Sequence, residues 1–529
     1  DVDRIYIGRA DPTGVPNINR NTGWLYLAKT NRVRVSSSTA NPSNTGIEVG
    51  RSGSNNGNGS RLYLGQTNEI YAASLGIGLE KETGCQMLFN PLFTDPALYL
   101  RGADGSSRMS LWTVGDGESN SGTTSCQGTC DLSGGSVNAL VDVMTVGRAS
   151  SNTSGTGGSR GTLTFDRGTL DINTLQVGLQ TVNTGKNGDG TVNVRNNAML
   201  IVNTSLQLGQ ATGGAGAATT VGRLNIDGGT VQAYAIATTN ISGNGRGSFI
   251  TLVNGGTLVL TTTGGSALSA LSDFSISDST LTIFFPDQGT TNLMVDNLTP
   301  GGNGNTLTVG FLPGITSYPA TFPLISYTNL LSGLNFTASL PAGYTGSIVN
   351  DSARRLVSLV ISSGPVPKAI SWRGTPTGNW NTSDLNWLAS GSPSAYAQGD
   401  FVTFDDTASG TTTVNLPAPL MPGSLTINNS TKTYTFTGNG RFSGFFDLIK
   451  QGAGTLILDT VGVNDFVGDI AIANGTVQVG NADGNGNLNG GAISLAAGST
   501  LAFNKATALT VANGISGSGH LNQNGSAAV

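Results

Sequence analysis

Catalysis needs titratable or nucleophilic side chains held together, and few residues of this chain are spaced to provide them. Asp405 and Asp406 are its densest carboxylate pair. Adjacent residues of a strand point to opposite faces, so the two cannot act on one substrate as acid and base. A turn or surface role is expected for them. Asp166, Arg167 and Asp171 sit at successive turns, where a β-helical polysaccharide lyase or hydrolase would keep its groups. The equivalent positions in the following repeats read Arg195-Asn196-Asn197 and Asp227-Gly228-Gly229, so no row of carboxylates builds up. Asp166 and Asp227 are therefore expected to shape turns. His520 is the one histidine and has no Ser or Asp partner at a suggestive spacing, which argues against a nucleophilic triad.

Three cysteines, Cys85, Cys126 and Cys130, are disulfide candidates. Cys85 and Cys126 fall at matching places of consecutive repeats, and Cys126-x-x-x-Cys130 is the local alternative. A disulfide among the three is expected, which would place the chain in an oxidising compartment. A metal site would want a fourth ligand, and His520 is far away in the chain. Two stretches have the look of a calcium loop. In residues 187–194 the first-ligand position is Gly185 and the twelfth is Asn196; in 480–491, Leu488 stands where the loop glycine belongs. Both are expected to be Gly/Asn turns, with stacked Asn side chains forming ladders that need no ion. No cofactor or metal is expected. Trp372, Trp380 and Trp387 could stack on sugars, but burial in a small junction module is the expectation. Asn58, Asn152, Asn203, Asn240, Asn297, Asn335, Asn381, Asn474 and Asn524 each open an Asn-x-Ser/Thr triplet and are the glycosylation candidates.

The elements that would position these residues are written as a repeat. Val146-Gly147, Val177-Gly178 and Leu208-Gly209 stand 31 residues apart, each followed by a loop rich in Ser, Thr, Asn and Gly, then strand, turn and strand. Ile7-Gly8, Val49-Gly50, Ile77-Gly78 and Val114-Gly115 precede them at looser spacing. Within each copy apolar residues (Leu163 and Phe165, Val192 and Val194, Leu224 and Ile226) alternate with polar ones, which sends one row inward and the other outward. One coil cannot bury its apolar row, but stacked coils make that row a continuous core. The expected fold is all-β, a right-handed parallel β-helix or β-solenoid with additional β-strand modules toward the C-terminus.

Composition agrees. Of 529 residues 78 are glycine, and only 11% are charged, with a net charge of −5. Periodic placement of Val, Ile and Thr argues against disorder. Scattered Arg and Lys exclude a nucleic-acid face, Arg32 and Arg34 being expected as solvated surface. No apolar run is long enough for a membrane span. No signal peptide is visible, and Asp1 leads straight into a strand, as in a processed chain.

The expected organisation is a solenoid of about 30-residue coils over 1–268, then a strand-rich module over 269–364 whose last part reads as antiparallel strands. A linker follows at 365–369, and a tryptophan-containing spacer with further strand repeats over 370–529. In that last segment Lys450-Gln451-Gly452-Ala453-Gly454-Thr455-Leu456, with Gly468 and Asn474-Gly475-Thr476-Val477, resembles the autotransporter-associated β-strand repeat of bacterial surface proteins. Trp372, Trp380 and Trp387 resemble the spacer beside such repeats. The resemblance implies a secreted, right-handed parallel β-helical surface protein, not an activity. No translocator barrel is present, which implies its removal or export by a general route.

The functional expectation is a non-enzymatic structural protein, extracellular or on the cell surface. It would be a subunit of a surface or matrix filament that binds itself end to end, with surface glycans or the cell envelope as further partners. A monomeric adhesin and a carbohydrate-active β-helix enzyme are the alternatives.

Overall fold

The computed structural model describes all residues except 10–21, 36–45, 53–58, 118–124, 151–156, 182–185, 212–219, 240–246, 285, 287, 313, 489–490, 512 and 529. The described residues form strands and turns with no helix, so none is long and apolar enough to cross a membrane. Two compact units result. One comprises Asp1–Gly310, Thr321–Leu340 and Ser347–Val360; the other comprises Phe311–Ala320, Pro341–Gly346 and Ile361–Val529.

In the first unit the alternation seen in the sequence becomes long parallel sheets of stacked coils, consistent with a β-solenoid. Each coil offers up to three faces. The first includes Arg61–Leu64, Cys85–Phe89, Cys126–Leu132, Val221–Asp227 and Gly247–Val253. The second includes Thr30–Arg34, Thr67–Tyr71, Ala97–Arg101 and Thr257–Leu260. The third includes Ile5–Arg9, Ile47–Ser52, Ser74–Glu80 and Met109–Asp116. Ser159–Gln180 and Gly188–Ala211 each run through all three faces without a break.

All seven apolar-Gly pairs of the sequence fall in a single column. Ile7 pairs with Val49, Val49 with Ile77, Ile77 with Val114, Val114 with Val146, Val146 with Val177 and Val177 with Leu208. Each of these side chains is buried. The glycine that follows is left-handed every time, with φ between 61° at Gly209 and 76° at Gly50. The column keeps its register although the spacing of its members along the chain varies.

A second glycine column interlocks with the first. Gly128, Gly161, Gly190 and Gly222 pair in succession on the first face. A Cβ on Gly178 would come 2.0 Å from the Val221 carbonyl oxygen, and one on Gly190 would come 2.2 Å from that of Val146. The third face of one coil thus lies backbone against backbone with the first faces of the coils that follow it. Outside, polar rows stack as ladders: Asn193 Nδ2 donates to Thr164 Oγ1 at 2.9 Å, and Asn225 Nδ2 to Asn193 Oδ1 at 2.8 Å.

Parallel pairing crosses residue 268 unbroken. Gly247–Val253 pairs with Leu271–Ser277, which pairs with Leu293–Gly301, which pairs with Ala320–Leu330. Phe336–Ser339 likewise lies parallel to Asn305–Val309. The antiparallel reading of this region is therefore corrected up to Ser339. Its alternation is the same in either arrangement, and only the path of the intervening chain decides which neighbour a strand meets.

The second unit stacks on a shorter period. Leu425, Leu448, Ile470, Ile493 and Ile515 pair in turn at steps of 22 or 23 residues. A second sheet joins Tyr434, Leu456, Val477, Leu501 and Leu521 in turn, at steps of 20 to 24 residues. Antiparallel pairing among these strands is confined to Trp387–Ala389 with its neighbours Ala369–Trp372 and Ser392–Ser394.

The interlocked corner yields a paired prediction. Gly178→Ala should cost roughly 3 kcal/mol, from the left-handed backbone and the carbonyl it would strike. Gly134→Ala has the same sign of φ, 77°, and nothing within 4 Å, so about 1 kcal/mol is expected. Equal shifts of the urea midpoint for the two variants would refute the corner as the tight point.

Candidate functional site

The densest buried polar cluster sits beside that corner, around Cys85 and Cys126. Cys85 occupies the glycine column itself: it pairs with Gly128 and fills the space that Gly50 leaves, where a Cβ on Gly50 would come 2.1 Å from its sulfur. Glu82, fully buried, places Oε2 4.0 Å from Cys85 Sγ. Burial, helped by neighbouring Glu80, raises the Glu82 carboxyl to about 7. Burial, then the Glu82 charge, pushes the Cys85 thiol to about 12. Cys126 is raised well above the ordinary thiol range by burial and then by Asp116. Cys130, also fully buried, is raised by burial and then by Asp131.

Ionic partners surround the cluster. Arg51 reaches Glu80 at 3.0 Å and Glu48 at 3.2 Å. Arg148 Nε donates to Asp116 Oδ2 at 2.8 Å, and Ser150 Oγ to Asp116 Oδ1 at 2.8 Å. A thiolate is the nucleophile and the metal ligand, and burial with the neighbouring carboxylates favours the thiol, outweighing hydrogen bonds that pull the other way. Among the described residues no three His, Cys, Asp or Glu side chains are grouped to hold a metal ion.

The three cysteines are free thiols in this structure. Register explains their spacing: Cys85 lies opposite Gly128, so Cys126 is offset two residues along the neighbouring strand. Cys126 and Cys130 share the inward side of one strand, four residues apart, too far along an extended chain for a bridge.

The remaining candidates are occupied in turns and ladders. Asp406 accepts backbone N–H bonds from Ser430, Thr431 and Lys432 at 2.8, 3.1 and 3.0 Å, which lower its carboxyl to about 2. Asp405 accepts from the Thr407 N–H at 2.8 Å. Asp166 accepts from Gly134 N–H at 2.9 Å and Asp227 from Asn254 Nδ2 at 2.7 Å. Asp171 receives Arg108 at 3.0 Å and Asn203 Nδ2 at 2.6 Å. Asp483 binds the Asn485 N–H and side-chain amide at 2.9 and 2.7 Å. His520 is exposed on a strand. Trp372, Trp380 and Trp387 are fully buried in one aromatic cluster with Tyr396 and Phe404.

Of the glycosylation candidates, Asn58, Asn152 and Asn240 lie outside the described residues. Asn203, Asn474 and Asn524 are exposed, and Asn297, Asn335 and Asn381 half-buried. The amide nitrogen of Asn335 donates to Gly301 O at 2.9 Å, and Asn381 Oδ1 accepts the Asp384 N–H at 2.7 Å.

Two residues escaped sequence reasoning. Lys450 stands in an otherwise apolar inward column, between Ile427 and Ile472. Its Nζ donates to the carbonyls of Gln451, Gly452 and Asn474 at 2.6, 2.7 and 3.3 Å, and burial lowers it to about 8. Lys505 does the same for Gly484, Asn485 and Gly486 at 2.9, 2.6 and 2.6 Å. The signal was a lysine at an apolar position beside glycines, whose bare carbonyls need a donor.

Compared with known families, curated proteins and solved structures, the chain matches none.

Two predictions follow from the buried charges. The Glu82 carboxyl titrates higher folded than unfolded, so its stabilising neutral form is complete below about pH 4.3 and is lost as pH rises through about 7. Wild type should therefore lose on the order of 2 kcal/mol relative to Glu82→Gln between pH 4 and 8; parallel stability curves would exclude this. Lys450→Met leaves the carbonyls without their ammonium donor and should cost about 2 kcal/mol in urea unfolding. An unchanged midpoint would show that the lysine merely fills space.

Proposed function

We propose that this chain is a non-enzymatic extracellular structural protein, a subunit of a surface or matrix filament built by coil-on-coil contacts. The coils wind right-handed, the preferred hand for parallel strands joined by crossovers. The observation that carries the reading is the stacking itself: apolar columns and strand ladders run in register from coil to coil, a geometry that grows by adding one more coil. Ile515–Gly517 and His520–Gln523 each pair on one side. Ile515 and Leu521 continue the buried columns of Ile493 and Leu501 yet are exposed, 36% and 56%. Exposed apolar residues are where a second copy would dock, and a contact between unlike surfaces propagates. The repeat motif around Lys450 supports the surface location, through its resemblance to passenger repeats.

Negative-stain electron microscopy of the full chain at micromolar concentration tests this. Extended filaments are expected, and Leu521→Lys should abolish them while leaving the circular dichroism spectrum unchanged. Isolated particles for the wild type would overturn the filament in favour of a monomeric adhesin.

A further inference from the structure

Most arginines of the first unit meet carboxylates, among them Arg9, Arg32 and Arg51 of the first coils. Arg108, Arg148, Arg160, Arg167 and Arg223, all beyond the third coil, each meet an aspartate. Among the described residues Arg34, Arg61 and Arg101 meet no carboxylate, and each lies on an aromatic ring instead. The Arg61 guanidinium is 5.2 Å from the centre of the Trp24 ring, Arg34 is 5.6 Å from that of Tyr71, and Arg101 is 3.9 Å from that of Tyr99.

Strand register gathers them on two adjoining faces. Arg34, Tyr71 and Arg101 form one outward column of the second face, so a tyrosine sits between two cations. On the first face Trp24 pairs with Arg61, and Tyr26 pairs with Tyr63, their rings stacked 4.3 Å apart and 3° from parallel. Two residues of turn, Gly65 and Gln66, separate Leu64 from Thr67 and join the faces.

Exposure sets this band apart. Trp24 is 57% exposed and Tyr26 54%, whereas Trp112, Trp372, Trp380 and Trp387 are each fully buried. Trp24 and Tyr26, two positions apart on one strand, stand about 7 Å apart, close to the length of one sugar residue. Each has one ring face covered by the next coil, Trp24 by Arg61 and Tyr26 by Tyr63. Trp24 Nε1 is tied to the Gly59 carbonyl at 3.3 Å, which fixes the indole in place. Aromatic faces take the CH-rich face of a pyranose, and guanidinium groups take carboxylate or sulfate in a forked pair.

The geometry points to a binding band for an acidic polysaccharide on the first three coils, with Trp24 and Tyr26 stacking on pyranose rings and Arg34 and Arg61 pairing with their anionic groups. Arg101, 7% exposed and donating to Asn138 Oδ1 at 2.6 Å, supplies charge from beneath. The chain as a whole is acidic, so the local cations select an anionic ligand against the general field. A uronate polymer fits better than nucleic acid, because two or three spaced cations neutralise too few phosphates for tight binding. This band does not depend on filament formation.

The test is binding of full-length protein to polygalacturonate, neutral dextran and single-stranded DNA in 50 mM salt, read by affinity electrophoresis. Retardation by polygalacturonate, not by dextran, and its weakening at 200 mM salt are expected. Trp24→Ala and Arg61→Ser should each weaken it about tenfold, and Arg34→Ser about threefold. Arg223→Ser, whose arginine already has an aspartate, should leave it unchanged, and so should Leu521→Lys, which separates this band from assembly. Matched thermal melts establish folding of each variant. No retardation by polygalacturonate, equal loss in Arg223→Ser, or stronger binding of DNA would each overturn the proposal.

Discussion

The first unit depends on one steric constraint: at one corner of each coil, two backbones pass with no room for a side chain between them. The glycines of the apolar-Gly column and those of the facing strand alternate along this seam, each blocked by a carbonyl or amide of the other. Because the corner is set by backbone contact, it has the same depth in every coil. Register across both strands is thereby held, and the apolar columns on either side stay aligned. The length of chain between successive members of the column varies without disturbing it, since closure entropy grows slowly with length. The seam tolerates one exception, Cys85 opposite Gly50, where the thiol takes the space left by the missing side chain.

Burial also decides the chemistry of the polar residues in both units. Cys85, Cys126, Glu82 and Lys450 are the types from which active sites are made, but each is held in its neutral form or occupied by backbone. Desolvation dominates in every case. The carboxylates outside are drawn the other way: Asp406 and Asp171 hold backbone amides, arginine or asparagine of the next coil. Polar groups are thus spent on tying coils together, inside by capping carbonyls and outside by ladders. Arg34, Arg61 and Arg101 stand apart, lying on rings where most other arginines of the first unit meet carboxylates.

Much of this was legible in the sequence. The 31-residue spacing, the alternation within each copy and the apolar-Gly pairs predicted a stack of parallel coils, and even the loosely spaced pairs from Ile7 to Val114 take their places in the column. The turn roles of Asp166, Asp227 and Asp406, the Asn ladders and the burial of the three tryptophans were readable too, because each follows from local residue type. The 22- to 23-residue period of the second unit was not seen as a continuous stack. Its anchors, Leu425, Leu448, Ile470, Ile493 and Ile515, are single apolar residues with no adjoining glycine to mark them. Parallel pairing continues across residue 268, where the change of sequence pattern placed a boundary between modules.

Periodicity alone therefore settled that the chain is all-β and built from coils, because a side chain's inward or outward direction is a local property of a strand. Which strand meets which was decided only in three dimensions, as the antiparallel reading of residues up to Ser339 shows. The same holds for the charged groups. Nothing near Glu82 in the chain announces burial, and nothing near Arg34 or Arg61 announces a ring beneath it. Those environments are made by neighbours about 20 to 40 residues away in sequence and one coil spacing, about 4.8 Å, away in space.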